Sequence, residues 1–151
     1  FGEQMRVFSM LPAPKGCEIL RYGVMHRNSF VNAPRVLNAG FDAKGYPRTF
    51  VAGQLSGVEG YVESIAAGLI AAVNAARALD GAPPLVCPPE TVIGALQRYI
   101  SAPNEDFQPM NANFGILPPL AAPVKNKTER KAAYFARGTA AMRAFADQYA
   151  L

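Results

Sequence analysis

The sequence predicts an α/β fragment in which a strand and a buried helix of a doubly wound domain are followed by C-terminal helices. Three observations carry this. Residues 49–52, Thr49, Phe50, Val51 and Ala52, form a short β-rich apolar run of the kind covered on both faces of a parallel sheet, and Gly53 ends it. From about residue 58 to 79, Tyr61, Val62, Ile65, Leu69, Ile70, Val73 and Ala76 recur at helical spacing, with alanines and Gly68 in the gaps. A helix apolar nearly all round must be buried. Two later stretches, 89–101 and 128–149, repeat the helical spacing across a Pro- and Asn-rich segment.

Before the strand, residues 1–10 read as the end of a helix or strand, with Met5, Val7, Phe8 and Met10 apolar; Pro12, Pro14 and Gly16 then turn the chain. Residues 17–24 are short and bounded by glycines, which suits a strand. Loop chemistry runs through Asn28, Asn32, Pro34 and Asn38 to Pro47. After the glycine turn, Gly68 and the alanines allow the long helix to approach a sheet closely, and Asp80, Gly81, Pro83 and Pro84 stop it. In the next helix Pro88 and Pro89 set the start, Glu90 suits the first turn, and Val92, Ile93, Leu96 and Ile100 form the apolar set. Residues 102–124 read as ordered irregular chain because of their aromatics. The last helix begins near Thr128, whose hydroxyl can cap it, and carries Phe135, Met142, Phe145 and Tyr149 on one stripe.

Half of the 151 residues are apolar, enough for one domain with a core. No run of roughly 18 apolar residues escapes interruption by a charge, and no basic start precedes an apolar stretch, so the expectation is a soluble cytoplasmic protein without a membrane partner. The chain opens on Phe1 rather than Met, which favours a piece of a longer polypeptide. Cys17 and Cys87 stand far apart with no ligand-spaced partner, so neither a metal site nor a disulfide framework is expected. A net charge of +4 permits a phosphate-rich partner without requiring one.

A strand that ends in glycine and feeds the N-terminus of a buried helix makes a seat for an electron-rich ligand, because free N–H groups and the positive end of the helix dipole point at it. Gly53, Gly57 and Gly60 remove side chains where a ring must come close. Reduced flavin, which carries negative charge on its ring, fits such a seat. On pattern alone a second reading stands beside this one, in which the glycines only make a tight strand-to-helix turn.

The string FVAGQ at 50–54, followed by SGVEGYVES at 56–64, resembles the C-terminal FAD motif of the folate-dependent tRNA (uracil-5-)-methyltransferase family. RYGVMHRN at 21–28 and FQPMNANFG at 107–115 match the same family in the same order, so the resemblance spans nearly the whole chain. The related glucose-inhibited division protein A family, which modifies the anticodon wobble uridine, shares the glycine framework but opens the helix differently and continues into a longer helical domain. The resemblance implies an FAD-binding doubly wound domain: residues 1–46 are the end of an insertion or substrate subdomain, 47–82 the closing strand, turn and buried helix of the FAD domain, and 83–151 a C-terminal helical region. It also implies transfer of a one-carbon unit from methylenetetrahydrofolate to C5 of a T-loop uridine in tRNA, through reduced FAD, with NAD(P)H as the ultimate reductant.

Residue by residue, the resemblance makes Gly53, Gln54, Ser56, Gly57, Val58, Glu59 and Tyr61 flavin-binding positions and puts His26 beside the flavin, where an imidazole can stack on folate. Without it, the lone His26 reads as a surface or satisfied structural histidine. Arg27 serves tRNA phosphate contact or local bonding, as does Asn28. Lys127, Arg130, Lys131 and Arg137 can share one side of the last helix as phosphate contacts, although Glu129 interrupts the set and a solvated face is the rival reading. Asn111 and Asn113 read as pins for the adjacent loop. The family's Gly-x-Gly-x-x-Gly turn and its nucleophilic cysteine have no counterpart here, so no catalytic residue is assigned to this chain and it is expected to be inactive alone. Its apolar surface is expected to pair with an N-terminal polypeptide or to self-associate. A non-enzymatic module that binds RNA or protein through the last helix is the remaining alternative.

Overall fold

The computed structural model describes residues 2–12, 18 and 28–150. Within them lie five helices: α1 (Gly2–Phe8), α2 (Ala33–Val36), α3 (Tyr61–Leu79), α4 (Val92–Ser101) and α5 (Lys127–Tyr149), with 3-10 turns at Gly53–Ser56 and Phe114–Ile116. The first helix buries nothing and carries an exposed Arg6–Glu3 ion pair at 2.8 Å. Apart from Glu18, the strand expected at 17–24 lies outside the described residues.

The closing strand at 49–52 is corrected. That stretch is one arm of a short irregular antiparallel pair, in which Ala43 N–H donates to Thr49 O (2.8 Å) and Val51 N–H to Phe41 O (2.9 Å). Only isolated bridges result, Leu37 with Ala43 and Asp42 with Phe50, and no longer strand exists among the described residues. Among the described residues the chain turns back on itself at 44–48 and gives this stretch one hydrogen-bonding neighbour alone.

Helix α3 starts at Tyr61 because Gly60, at φ 91°, cannot continue a right-handed helix backwards. Within this chain its inner face is built from Ala67, Ala71 and Asn74, while Tyr61 (93% exposed), Val62 (76%), Ile65 (73%) and Leu69 (63%) stand outward, on the apolar surface expected to pair with another polypeptide. Gly68 meets nothing within 4 Å. This is the one described helix long and apolar enough to cross a bilayer. Its small inner face is nonetheless packed into the protein's own core, and Asn74 is tied there by three hydrogen bonds.

Leu37, Phe41, Val58, Leu96, Ile100 and Phe107 close around Ala67 and Ala71 to form the main core. Each large side chain contributes roughly 1.5–3 kcal/mol by leaving water. The extended chain at 82–88 crosses between α3 and α4. Asn74 Nδ2 donates to Gly40 O (3.1 Å) and Leu85 O (3.0 Å), and Asn74 Oδ1 accepts from Leu85 N–H (2.6 Å). Gln97, fully buried on α4, accepts from Cys87 N–H (2.8 Å) and donates to Ala39 O (2.8 Å). Two amides thereby stand in for sheet partners along the crossing chain.

Helix α4 begins at Val92, later than the prolines suggest, because Thr91 Oγ1 is the cap that accepts from Gly94 N–H (3.0 Å). Likewise α5 is capped by Asn126, whose Oδ1 accepts from Thr128 N–H (2.8 Å) and Glu129 N–H (3.2 Å), so the expected Thr128 cap is replaced by a residue two positions earlier. The α5 stripe divides. Phe145 is buried against Leu85 and Cys87, and Met142 packs on that cluster, whereas Phe135 is 75% exposed.

Candidate functional site

Three left-handed glycines in eight residues, Gly53, Gly57 and Gly60 (φ 64°, 84° and 91°), fold residues 53–60 into a tight loop against the start of α3. Ser56 Oγ donates to Gly53 O (2.7 Å) and Gly57 N–H to Gln54 O (2.9 Å). The loop is then strapped to a second one. Glu59 N–H donates to Met110 O (3.0 Å) and Met110 N–H to Gly57 O (2.9 Å), a parallel bridge between Val58 and Met110. Glu63 Oε1 adds a third strap by accepting from Ala112 N–H (3.0 Å).

Where the two loops meet the helix they enclose a cleft of about 550 Å³, lined by Asn28, Gln54, Glu59, Gly60, Tyr61, Ser64 and Asn111. No side chain caps α3, and its first internal bond is Ser64 N–H to Gly60 O (2.9 Å). The N–H groups of Tyr61, Val62 and Glu63 therefore begin the helix without an internal acceptor, at its positive end. A Cβ on Gly60 would run into the Glu63 carboxylate. Side-chain amides of Asn28, Gln54 and Asn111 offer both donors and acceptors around the opening, with the Glu59 carboxylate and the Ser64 hydroxyl.

Of the residues singled out as flavin-binding, Gln54, Glu59 and Tyr61 line this cleft, whereas Gly53, Ser56, Gly57 and Val58 shape the turn behind it. Ser56 and Val58 are fully buried, and Gly57 has the Phe107 ring where a side chain would go. His26 and Arg27 lie outside the described residues. Ser64, for which the sequence assigns no role, and Asn111, expected as a loop pin, also line the cleft. Ser64 stands one helical turn past Gly60, which was signal enough; Asn111 is placed by a tertiary strap that no local pattern encodes. Asn113 does pin its loop, accepting from Gly115 N–H (2.8 Å) and donating to Asn111 O (2.9 Å).

Cys87 is 2% exposed and far from thiolate chemistry, because burial pushes its thiol up to about 11. Among the described residues no three His, Cys, Asp or Glu side chains gather as a metal site. On α5, Lys127, Arg130 and Lys131 are exposed. Arg137 differs: its guanidinium donates to Pro118 O (2.6 Å) and Pro119 O (2.7 Å) and lies 5.0 Å over the Tyr134 ring. Those bonds commit Arg137 to holding the 118–119 segment rather than to facing phosphate.

Residues 1–83 match the model of the family described as glucose inhibited division protein A. The methylenetetrahydrofolate--tRNA-(uracil-5-)-methyltransferase of Desulfitobacterium hafniense is 49% identical over 146 residues, covering 96% of this chain and 33% of that protein. Proteins of the same name from Moorella thermoacetica and Desulforudis audaxviator are 53% identical over 138 residues and 55% over 139, each covering 91% of this chain and 32% of the relative. The chain thus spans about a third of the length of the curated relatives it matches.

Proposed function

This chain belongs to the glucose inhibited division protein A family, and we propose that it is the C-terminal part of a cytoplasmic flavoenzyme that methylates C5 of a T-loop uridine in tRNA. Methylenetetrahydrofolate is the proposed one-carbon donor and NAD(P)H the reductant. The observation that carries the reading is the cleft at the uncapped start of α3. Its residues fit a flavin: a helix terminus with unpaired N–H groups favours an electron-rich ring edge, and three amides can bond to carbonyl and N–H positions. Bound FAD would supply the electrons that turn the transferred one-carbon unit into a methyl group.

The chain's own contribution is to bind and orient. Gln54, Glu59 and Tyr61 line the cleft at the helix start together with Asn28 and Asn111, and His26 is proposed to stack on folate. Tyr61, 93% exposed at the mouth, offers an aromatic face. No nucleophile is assigned here: neither Cys17 nor Cys87 matches the family's nucleophilic cysteine, and buried Cys87 stays protonated at neutral pH, so attack at C6 of the uridine is proposed for sequence outside this chain. The outward row Val62, Ile65 and Leu69 is proposed to pack against that same sequence.

A wobble-uridine modifying activity is the second reading, favoured by the family model over residues 1–83. Against it, identity to the methyltransferases extends through 91–96% of the chain, well past residue 83. The complete polypeptide should purify yellow, and deletion of its gene should abolish T-loop 5-methyluridine while leaving wobble modification intact. A colourless protein would remove the flavin reading; loss of the wobble modification alone would select the second.

A further inference from the structure

We propose that the groove between α5, the start of α4 and the 114–117 turn is an RNA-stacking surface that receives unpaired bases of the tRNA substrate; it rests on the function proposed above. The groove holds about 360 Å³ and is walled by Phe114, Leu117, Tyr134, Phe135 and Met142, with Lys131 at its edge.

Its outer aromatics are exposed, and Phe114 is held in place. Phe135 is 75% exposed and Phe114 48%. Phe114 lies against Tyr134 with centroids 5.1 Å apart, and Arg137 backs the Tyr134 ring at 5.0 Å while anchored to Pro118 and Pro119. Ring platforms of this kind accept any base, because every base has a π-face.

Charge selects the occupant. At about 100° per residue, the helix sets Lys127 in the angular range of Tyr134 and Lys131, with Arg130 flanking Tyr134, and carries Glu129 round to the opposite side. The acid that interrupts the basic set in sequence is therefore remote from it in space. Glu90 is the one carboxylate lining the groove, and it can accept from a base amino group. Exposed rings beside three cations suit a polyanion with stacking bases. The outward row of α3 offers the contrast, since Val62, Ile65 and Leu69 are apolar without a cation among them.

The groove and the cleft draw on one loop. Asn111 lines the cleft and Phe114 the groove, three residues along one loop, a span of at most roughly 10 Å of chain.

The test uses the complete polypeptide and an unmodified tRNA transcript, with affinity measured across a salt series and flavin absorbance recorded for every variant. F135A should weaken binding about tenfold or more, and K131E should flatten the dependence of log affinity on log salt by about one. Both should keep the flavin of the parent. Unchanged affinity and salt slope with flavin intact would overturn the groove and leave the proposed enzyme standing. A parent protein that binds flavin but no tRNA would overturn the function instead, and the groove with it. If F135A loses self-association in sedimentation rather than tRNA affinity, the groove belongs to a second copy and the proposal fails.

Discussion

Asn74 on α3 and Gln97 on α4 donate to one acceptor, the carbonyl of Leu85, at 3.0 and 3.3 Å. Both amides are buried, and between them they also satisfy Leu85 N–H, Cys87 N–H, Ala39 O and Gly40 O. Removing either leaves backbone groups unpaired where water cannot reach, so N74A and Q97A should each cost about 2–4 kcal/mol in urea unfolding. Because each single variant leaves the shared acceptor with one partner and only the double variant strips both, the double variant should exceed the sum by about 0.5–1 kcal/mol. Strict additivity would mean that the two amides act independently.

Gly57 and Gly60 should fail differently when given a methyl group. Both sit at positive φ, but the new Cβ at Gly57 meets the buried Phe107 ring, whereas at Gly60 it meets the movable end of Glu63. G57A should therefore lower stability by about 2–4 kcal/mol, combining backbone strain and overpacking. G60A should cost nearer 1–2 kcal/mol in the fold and show its main effect as lost flavin. Comparing Tm with bound flavin absorbance separates the two; equal losses in both would contradict this division.

Glu63 straps the cleft by accepting from Ala112 N–H at 3.0 Å. A glutamine oxygen can make the same bond and an alanine cannot. Hydrogen exchange over residues 110–116 should accelerate in E63A and remain near the parent rate in E63Q. If both variants exchange alike, the strap does not hold the loop.

Helix α3, with its glycine-rich approach, and α4 and α5 could be read from spacing, because their apolar residues recur every three to four positions and their ends carry ordinary stop signals. The strand at 49–52 could not. A short apolar run looks the same whether it joins a sheet or folds back on residues 41–43, and only the positive φ of Arg48 (63°) and Phe41 (66°) reveals the reversal. Outward Val62 and Ile65 show a related limit: apolarity marks a surface for burial without saying which part of a longer polypeptide covers it. In the cleft, Gln54, Glu59 and Tyr61 were visible as one contiguous motif. Asn111 came in through the bridge between Val58 and Met110, a contact across some fifty positions that no short window contains.

Cys87 supplies a pH signature of the core. Burial raises its thiol from an ordinary 9.0 to about 11, so the folded protein holds that proton where the unfolded chain has released it. The stabilisation is fully present below pH 9 and is lost as pH rises towards 11, the sign expected for a group whose folded pKa exceeds its unfolded one. Two pH units correspond to about 2–3 kcal/mol at most. Stability of the parent should decline across pH 9–11 more steeply than that of C87A, whose own unfolding carries no such proton. The thiol should also resist alkylation at pH 8 in the native protein and react on unfolding. Parallel pH profiles for parent and C87A, together with rapid native alkylation, would show that α5 does not seal the Leu85, Cys87 and Phe145 cluster as it does here.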